Sequence, residues 1–212
     1  MTRTSVLAIL AAAVLAAPLT LVAPAHADVR VTVRDFPTVN QVVKHYPQFR
    51  QGVRDLSWPS RLEAPGWDCG VEAAVPHRPQ RARTAYYIMR NRGSAYLKGY
   101  SEPTVTVFRF GTSRLAALAF DDVVDAYAPC YGRHRTSKDV TRTKLRLPRL
   151  GVSRFALRTL ELGDPVFGPE RSITTWVRTG RTIVHVTVRK DHGAPAAKPA
   201  IALTRLAVRA VR

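Results

Sequence analysis

The sequence of 212 residues contains few acidic residues, few cysteines and few long apolar runs. It holds 15 Asp and Glu against 33 Lys and Arg, a formal net charge of +18, with two cysteines and two methionines. Hydrophobic residues make up 46% of the chain and charged residues 23%, which are ordinary values for a globular protein. We therefore expect neither a disordered chain, nor a collagen-like one, nor a polytopic membrane protein. The length fits one domain, or at most two small ones, with a buried core.

Motifs for catalysis and for metal binding are also missing. The sequence has no GxSxG elbow, HExxH helix, P-loop or Rossmann glycine pattern. Two cysteines without CxxC spacing make a poor zinc site. The histidines that follow the N-terminal 27 residues are scattered: His45, His77, His134, His185 and His192. We therefore predict no catalytic residue, no metal and no cofactor. Because a two-histidine nuclease needs no fixed motif, a small secreted hydrolase acting on an anionic polymer is the alternative to a non-enzymatic protein.

The longest apolar run lies at the N-terminus. It covers 6–17 behind a short basic start, is interrupted by Pro18 and is followed by Ala25-His26-Ala27. A basic start, an apolar centre and small residues before a cut are typical of a secretory signal peptide. We expect residues 1–27 to be removed, with Asp28 as the new N-terminus, and the protein to be secreted, extracellular or associated with the cell wall. An uncleaved membrane anchor is the alternative.

Export changes the interpretation of Cys69 and Cys130. Both follow the predicted cleavage point, and an oxidising compartment favours a disulfide between them. Such a bridge encloses a loop long enough to stabilise the fold by roughly 4 kcal/mol on the chain-entropy model. A free catalytic thiol at Cys130 beside His134 is the alternative.

Apolar spacing over residues 28–212 predicts a single α+β domain. Helices are expected over 38–46, from Thr112 or Ser113 to Pro129-Cys130, and over 200–212 after a hinge at 192–199. Residues 50–79 are expected to be irregular, with Trp58 and Trp67 packed around the disulfide; a ligand platform is the alternative for the two indoles. Strands are expected over six segments: 84–90, 104–110, 140–147, 155–162, 173–179 and 182–189. This order favours a mainly antiparallel β-sheet flanked by helices.

The middle helix has the clearest two-sided pattern. Its apolar residues recur at steps of three and four, which predicts that these side chains face the core: Leu115, Leu118, Ala119, Val123, Ala126 and Tyr127. Asp121, Asp122 and Asp125 lie on its polar side. A solvated face is the simpler interpretation of this acidic group, and cation binding is the alternative.

The positive charge is the strongest indication of function. Cleavage removes only Arg3, so the mature chain keeps a net charge of +17. Such a protein is attracted to anionic envelope polymers, anionic membranes or small anionic ligands, with no sign of sequence-specific nucleic-acid binding. Two groups are candidate anion-binding residues: Arg133, His134, Arg135 and Lys138 in one, and Arg142, Lys144 and Arg146, alternating along one predicted strand, in the other. A solvated edge strand is the alternative for the second group.

The order of these features resembles a known family. The chain begins this order with an early Trp and Cys, followed by the strand VTVFRFGTS and an Ala-rich helix that ends on a second Cys. Leu162-Gly163-Asp164 and the strand pair ITTWVRTGRTIVHVTV come next. This order is similar to the extracellular sensor domains of PknH-like receptor kinases and to stand-alone actinobacterial sensor-like proteins, over roughly 58–212. The resemblance implies an antiparallel sheet flanked by helices and a binding role. That kinase domain carries two disulfides, whereas this chain can form one.

These observations lead to one functional hypothesis. The protein is predicted to be a secreted, monomeric, non-enzymatic ligand-binding or sensor-like domain of the cell envelope that engages an anionic ligand or polymer. A hydrolase would instead require a deep pocket that contains two hydrogen-bonded His, Asp or Glu groups.

Overall fold

The computed structural model describes most of the chain after the predicted signal peptide. The described residues are 30–57, 61–66, 69, 72–89, 101–134, 139–162, 169–190 and 193–212. The predicted signal peptide, Trp58, Trp67 and the pair Gly163-Asp164 lie outside these ranges. None of the helices within them has the length and apolar character needed to span a bilayer.

Three α-helices and ten strands lie within the described residues. The helices are α1 Val39–Val43, α2 Ser113–Tyr127 and α3 Ala197–Ala210. The strands are β1 Val53–Ser57, β2 Glu63–Pro65, β3 Glu72–Ala74, β4 Arg81–Ile88, β5 Glu102–Arg109, β6 Gly132–His134, β7 Val140–Lys144, β8 Ser153–Glu161, β9 Glu170–Thr179 and β10 Thr182–Lys190.

Eight of these strands form one antiparallel sheet. Their order is β1-β4-β5-β10-β9-β8-β7-β6, and β2 pairs with β3 in a separate hairpin. The predicted fold class, a mainly antiparallel sheet flanked by helices with one disulfide, is confirmed. Gly180 lies in the turn between β9 and β10 with a φ of +55°, a conformation that glycine adopts without the steric cost other residues have.

Several element boundaries differ from the sequence predictions: β6 was not predicted, β7 ends at Lys144 and not at 147, and α1 ends at Val43 and not at 46. The structure places β1, β2 and β3 inside the segment expected to be irregular, since short strands such as Val-Arg-Asp-Leu-Ser carry no clear apolar alternation. Helix α3 begins at Ala197, three residues before the predicted start. Pro199 lies in its first turn, where a missing N–H costs no helical hydrogen bond.

One side of the sheet is covered by α1, by α3 and by residues 30–38, which we call the N-terminal segment. We call this side the α3 face. Val184, Val186 and Val188 of β10 point to this side, as the alternation predicts. They pack with the inward stripe of α3, made of Ala200, Leu203, Ala207 and Val208. The hydroxyls of Thr175 and Thr204 form a buried hydrogen bond of 2.8 Å between β9 and α3, which fixes the position of the helix.

The N-terminal segment is held on the α3 face by polar contacts as well as by its apolar side chains. Asp35 forms an ion pair with Arg109 at the end of β5, and the same guanidinium donates to the Arg30 carbonyl at 2.6 Å. Further along, the Tyr87 hydroxyl and the Arg54 guanidinium both donate to the Pro37 carbonyl, at 2.7 and 2.9 Å. These bonds pair polar groups that would otherwise be desolvated without a partner.

The opposite side, the α2 face, is covered by α2 and the β2–β3 hairpin. Helix α2 begins where the Thr112 hydroxyl accepts the Leu115 N–H at 3.1 Å, an N-cap. Its buried residues pack on the sheet through Phe108, Leu157, Trp176 and Ile183. They are Ala116, Ala119, Phe120, Val123 and Tyr127.

The predicted inward face of α2 was partly wrong. Leu115 and Leu118 are 39% and 37% exposed, whereas Ala116 and Phe120, one and two positions further along, are buried. Small alanines at the contact let the helix lie close to the large Phe108 and Trp176 side chains, so the buried stripe is displaced from the leucines.

The disulfide joins the connection between β2 and β3 to the segment that follows α2. Cys69 and Cys130 are bonded across a sequence separation of 61 residues, and both are buried. The predicted pairing is therefore confirmed, and the free catalytic thiol is excluded. The other end of the hairpin is tied to α2 by His77, whose Nδ1 lies 2.6 Å from the Asp122 carboxylate.

Replacing both cysteines by serine should lower the free energy of unfolding by roughly 4 kcal/mol, because the open chain regains the entropy of a large loop. Denaturant unfolding of the oxidised protein and of Cys69→Ser/Cys130→Ser measures this difference. Equal stability of the two proteins would contradict a structural role for the bridge.

Candidate functional site

A pocket opens on the α3 face beside the start of α3. Its volume is about 200 Å³, and it lies across β7, β8 and β9. Ten of the described residues line it: Thr141, Thr143, Arg158, Thr159, Leu160, Arg171, Ser172, Ile173, Ala194 and Pro195.

Strand alternation brings these side chains together. Arg158 and Leu160 lie two apart on β8, Arg171 and Ile173 lie two apart on β9, and each pair therefore points to one face. The register places Arg158 opposite Ile173 and Leu160 opposite Arg171. The result is an apolar floor flanked by two guanidinium groups. Ala194 and Pro195 close the side that faces α3.

The described lining of the pocket is positively charged. Within the described residues, neither Arg158 nor Arg171 makes a side-chain hydrogen bond or ion pair. Lys190 lies opposite Arg171 in the register and adds a third cation nearby. An anionic group placed between these side chains would relieve the repulsion of like charges.

The predicted basic strand lies elsewhere. Arg142 and Lys144 project from β7 to the α2 face, on the other side of the sheet from the pocket. β7 lies between β6 and β8, so it is not an edge strand. Arg146 lies beyond the end of β7 and is exposed. The three cations therefore do not share one strand face.

Arg142 is a structural side chain in this arrangement. Its guanidinium donates to the Cys69 carbonyl at 2.7 Å and lies over the Tyr127 ring at 5.8 Å from the centroid. Lys144 lies over the Tyr131 ring at 4.3 Å. Both cations are thus attracted to aromatic faces on the α2 side. Arg142 also holds the disulfide loop against the sheet.

The other predicted cluster is only partly described. Arg133 and His134 belong to β6, which pairs with β7, and the description does not extend to their side chains. Arg135 and Lys138 lie outside the described residues. Anion binding by this cluster stays a prediction.

His185 and Trp176 form a stacked pair in the middle of the α2 face. They are register partners on β10 and β9, with ring centroids 3.7 Å apart and an angle of 5° between the rings. His185 Nε2 lies 3.0 Å from the Thr187 hydroxyl. Burial, together with the positive charge of Arg189, lowers the pKa of His185 to about 3. The imidazole is therefore neutral near pH 7, and it acts as a flat packing group.

The described part of the chain offers little for metal or acid–base chemistry. It contains no group of three or more His, Cys, Asp or Glu side chains placed to hold a metal ion. The hydrogen-bonded pair His77 and Asp122 lies between a turn and α2, and neither residue lines the pocket. Asp122 of the predicted acidic group thus serves to attach α2 to the hairpin.

Sequence reasoning missed Arg158 and Arg171. Arg158 lies in the strand predicted over 155–162, whereas Arg171 precedes the strand predicted over 173–179 and belongs to β9 only in the structure. Strand alternation gives the face of each strand but not which strands are neighbours, so the pairing of the two cations was not visible.

Comparisons with known proteins support the architecture. No family model matches the chain, and no curated protein matches it. The extracellular domain of PknH from Mycobacterium tuberculosis is similar in structure, with a TM-score of 0.55 and 12% identity over 84% of this chain and 92% of that chain. An uncharacterised protein from Mycobacterium smegmatis, an Rv0999 ortholog, gives a TM-score of 0.50 and 10% identity over 82% of this chain and 96% of that one. The expected resemblance to the PknH-like sensor domain is confirmed as a likeness of fold.

The contacts of Arg142 lead to a stability prediction. Arg142→Gln should lower the free energy of unfolding by about 1–2 kcal/mol, because the Cys69 carbonyl loses a charged donor. Arg146→Gln removes the same charge from an exposed side chain and is the matched control, with an expected change within about 0.5 kcal/mol. Denaturant unfolding of both variants measures the difference, and equal effects would show that Arg142 is not an anchor.

The lowered pKa of His185 leads to a pH prediction. Between the folded value of about 3 and the unfolded value of about 6.5, the unfolded chain binds a proton that the native protein does not. Stability should therefore fall as the pH is lowered through this range and be insensitive to this group above it. His185→Phe keeps a ring against Trp176, so the loss of Tm between about pH 7 and about pH 4 should be smaller in the variant. Identical pH profiles would contradict the assignment.

Proposed function

We propose that the protein is a secreted, non-enzymatic, sensor-like binding domain of the cell envelope, and that the pocket beside α3 takes a small anionic ligand. The observation that carries this proposal is the pair Arg158 and Arg171, which flank an apolar floor and have no counter-ion among the described residues. The cysteine bridge fits an oxidising compartment, in keeping with export.

The lining indicates the chemistry of the ligand. A guanidinium stays charged at any physiological pH and can bind a carboxylate or phosphate through two parallel hydrogen bonds. Thr141 and Thr143 add hydroxyl groups that can donate or accept. Leu160 and Ile173 offer apolar contact but no polar partner. A ligand with an acidic head and a short aliphatic part fits this combination.

The size of the pocket limits what can enter it. Its volume of about 200 Å³ is below the range of roughly 300–1,000 Å³ that holds drug-sized molecules. The ligand is therefore small, or only one end of a larger molecule occupies the site.

The lining also favours binding over hydrolysis. A hydrolase needs a positioned acid or base within reach of the bond it cleaves. Among the described residues, the pocket lining contains no histidine and no carboxylate, and the pair His77 and Asp122 belongs to the layer on the other face. These placements support the non-enzymatic proposal over the alternative of a small hydrolase.

Titration with octanoate tests this proposal, with octanamide as a neutral ligand of the same length. The carboxylate should bind more tightly than the amide, and Arg158→Gln/Arg171→Gln should weaken its binding roughly tenfold, as expected for loss of charge-assisted hydrogen bonds. Calorimetry or chemical-shift titration measures both affinities.

A second double variant controls for the loss of net charge. Arg205→Gln/Arg209→Gln removes two exposed cations of α3 that do not line the pocket, so octanoate binding should be retained. Equal binding of octanoate and octanamide, or equal losses in the two double variants, would contradict an anion site at Arg158 and Arg171.

A further inference from the structure

Acidic side chains are concentrated on one side of the molecule. Nine of the described Asp and Glu residues belong to the α2 face, to α2 itself or to the β2–β3 hairpin. They are Asp55, Glu63, Glu72, Glu102, Asp121, Asp122, Asp125, Glu161 and Glu170. Strand alternation assigns those of the large sheet, because each lies in phase with a side chain of the α2-face core, such as Phe108, Leu157 or Trp176.

The two remaining described acids are Asp35 and Asp139, and neither is a free carboxylate on a helix of the α3 face. Asp35 is buried and ion-paired with Arg109. Asp139 lies in the turn before β7, at the rim of the sheet, and has a partner of its own. Helix α3 contains no Asp or Glu at any position.

Cations project from the same side. Lys198, Arg205, Arg209 and Arg212 are all exposed on α3 and just after it, opposite the stripe that packs into the core. Arg34 is exposed in the neighbouring N-terminal turn, which contacts α3. We call these five residues the basic layer. Val33, next to Arg34, is 46% exposed and adds an aliphatic side chain at its edge.

A high arginine content does not by itself produce this separation. Composition raises the number of cations on every surface, but it does not remove the acids from one side. With nine of the eleven described acids on the far face, the fields of the cations on the near face add and are little cancelled, and this surface attracts polyanions. The separation is a property of the tertiary structure.

We propose that the basic layer docks reversibly on an anionic lipid bilayer. Helix α3 packs on β9 and β10, so the cations of its outer stripe project away from the sheet, and Arg34 lies in the turn that contacts the helix. Together they can meet a plane of headgroups. A single polymer strand would contact only one row of them. The apolar stripe of α3 is already buried against β9 and β10, so the helix cannot insert, and electrostatic attraction holds the protein at the surface. This docking does not depend on the ligand of the pocket.

Vesicle co-sedimentation across a sodium chloride series tests the docking. The full mature chain should bind vesicles of phosphatidylglycerol and phosphatidylcholine in equal parts and should not bind vesicles of phosphatidylcholine alone. Arg205→Gln/Arg209→Gln/Arg212→Gln should weaken binding roughly a hundredfold, because each cation near an anionic bilayer contributes about 1 kcal/mol. The affinity of the wild-type protein should fall as salt rises.

The matched control removes the same charge from the other side. Arg61, Arg78 and Arg114 are exposed in the segments that surround the hairpin and α2, so Arg61→Gln/Arg78→Gln/Arg114→Gln should keep most of the binding. Circular dichroism and thermal melting check that both triple variants are folded. If the α3 variant fails this check, the single exposed change Arg205→Glu provides the same comparison.

Two outcomes would overturn the proposal. Equal losses in the two triple variants would mean that net charge alone, and not the basic layer, attracts the protein. Binding to immobilised polyphosphate without binding to the mixed vesicles would identify a polymer chain as the partner in place of a bilayer.

Discussion

The fold depends on a central strand that has buried apolar side chains on both of its faces. In β10, Val184, Val186 and Val188 are buried toward the α3 face, while Ile183 is buried toward the α2 face. Neither side of the sheet can face water without a large loss of hydrophobic burial. Each side therefore needs its own cover, and the chain supplies α1, α3 and the N-terminal segment on one face and α2 with a small hairpin on the other. The remaining features of the molecule follow from how these covers are attached.

Charged and polar side chains attach these covering elements to the sheet. The arginines accordingly fall into two groups, those with partners in the fold and those that are exposed. Arg109 and Arg142 each donate to backbone carbonyls and have further partners, so they hold the N-terminal segment and the disulfide loop. Arg158, Arg205 and Arg209 are exposed and bind nothing in the described part of the chain. A buried or paired guanidinium is costly to replace, whereas an exposed one is available to a ligand or surface. The net charge of the sequence does not make this distinction.

The two faces consequently differ in what they can bind. The α2 face is packed with paired groups, among them the neutral His185 stacked on Trp176 and the cations that lie over Tyr127 and Tyr131. The α3 face carries the pocket at Arg158 and Arg171 and the basic layer. Both proposals, an anionic ligand in the pocket and a bilayer against α3, place recognition on this second face. The PknH extracellular domain has a similar fold.

Local pattern in the sequence determined the α+β class, the antiparallel sheet, the β9–β10 hairpin, the N-cap of α2 and the single possible cysteine pairing. Each of these depends on residues close together in the chain, except the disulfide, for which two cysteines allow one pairing. The tertiary structure alone decided that Arg142 anchors Cys69, 73 residues away, and that Arg158 and Arg171 flank one pocket. It also displaced the buried stripe of α2 from Leu115 and Leu118 to Ala116 and Phe120. The physical reason is the same in each case: periodicity fixes the faces within one element, whereas contacts between elements depend on which distant side chains pack closest.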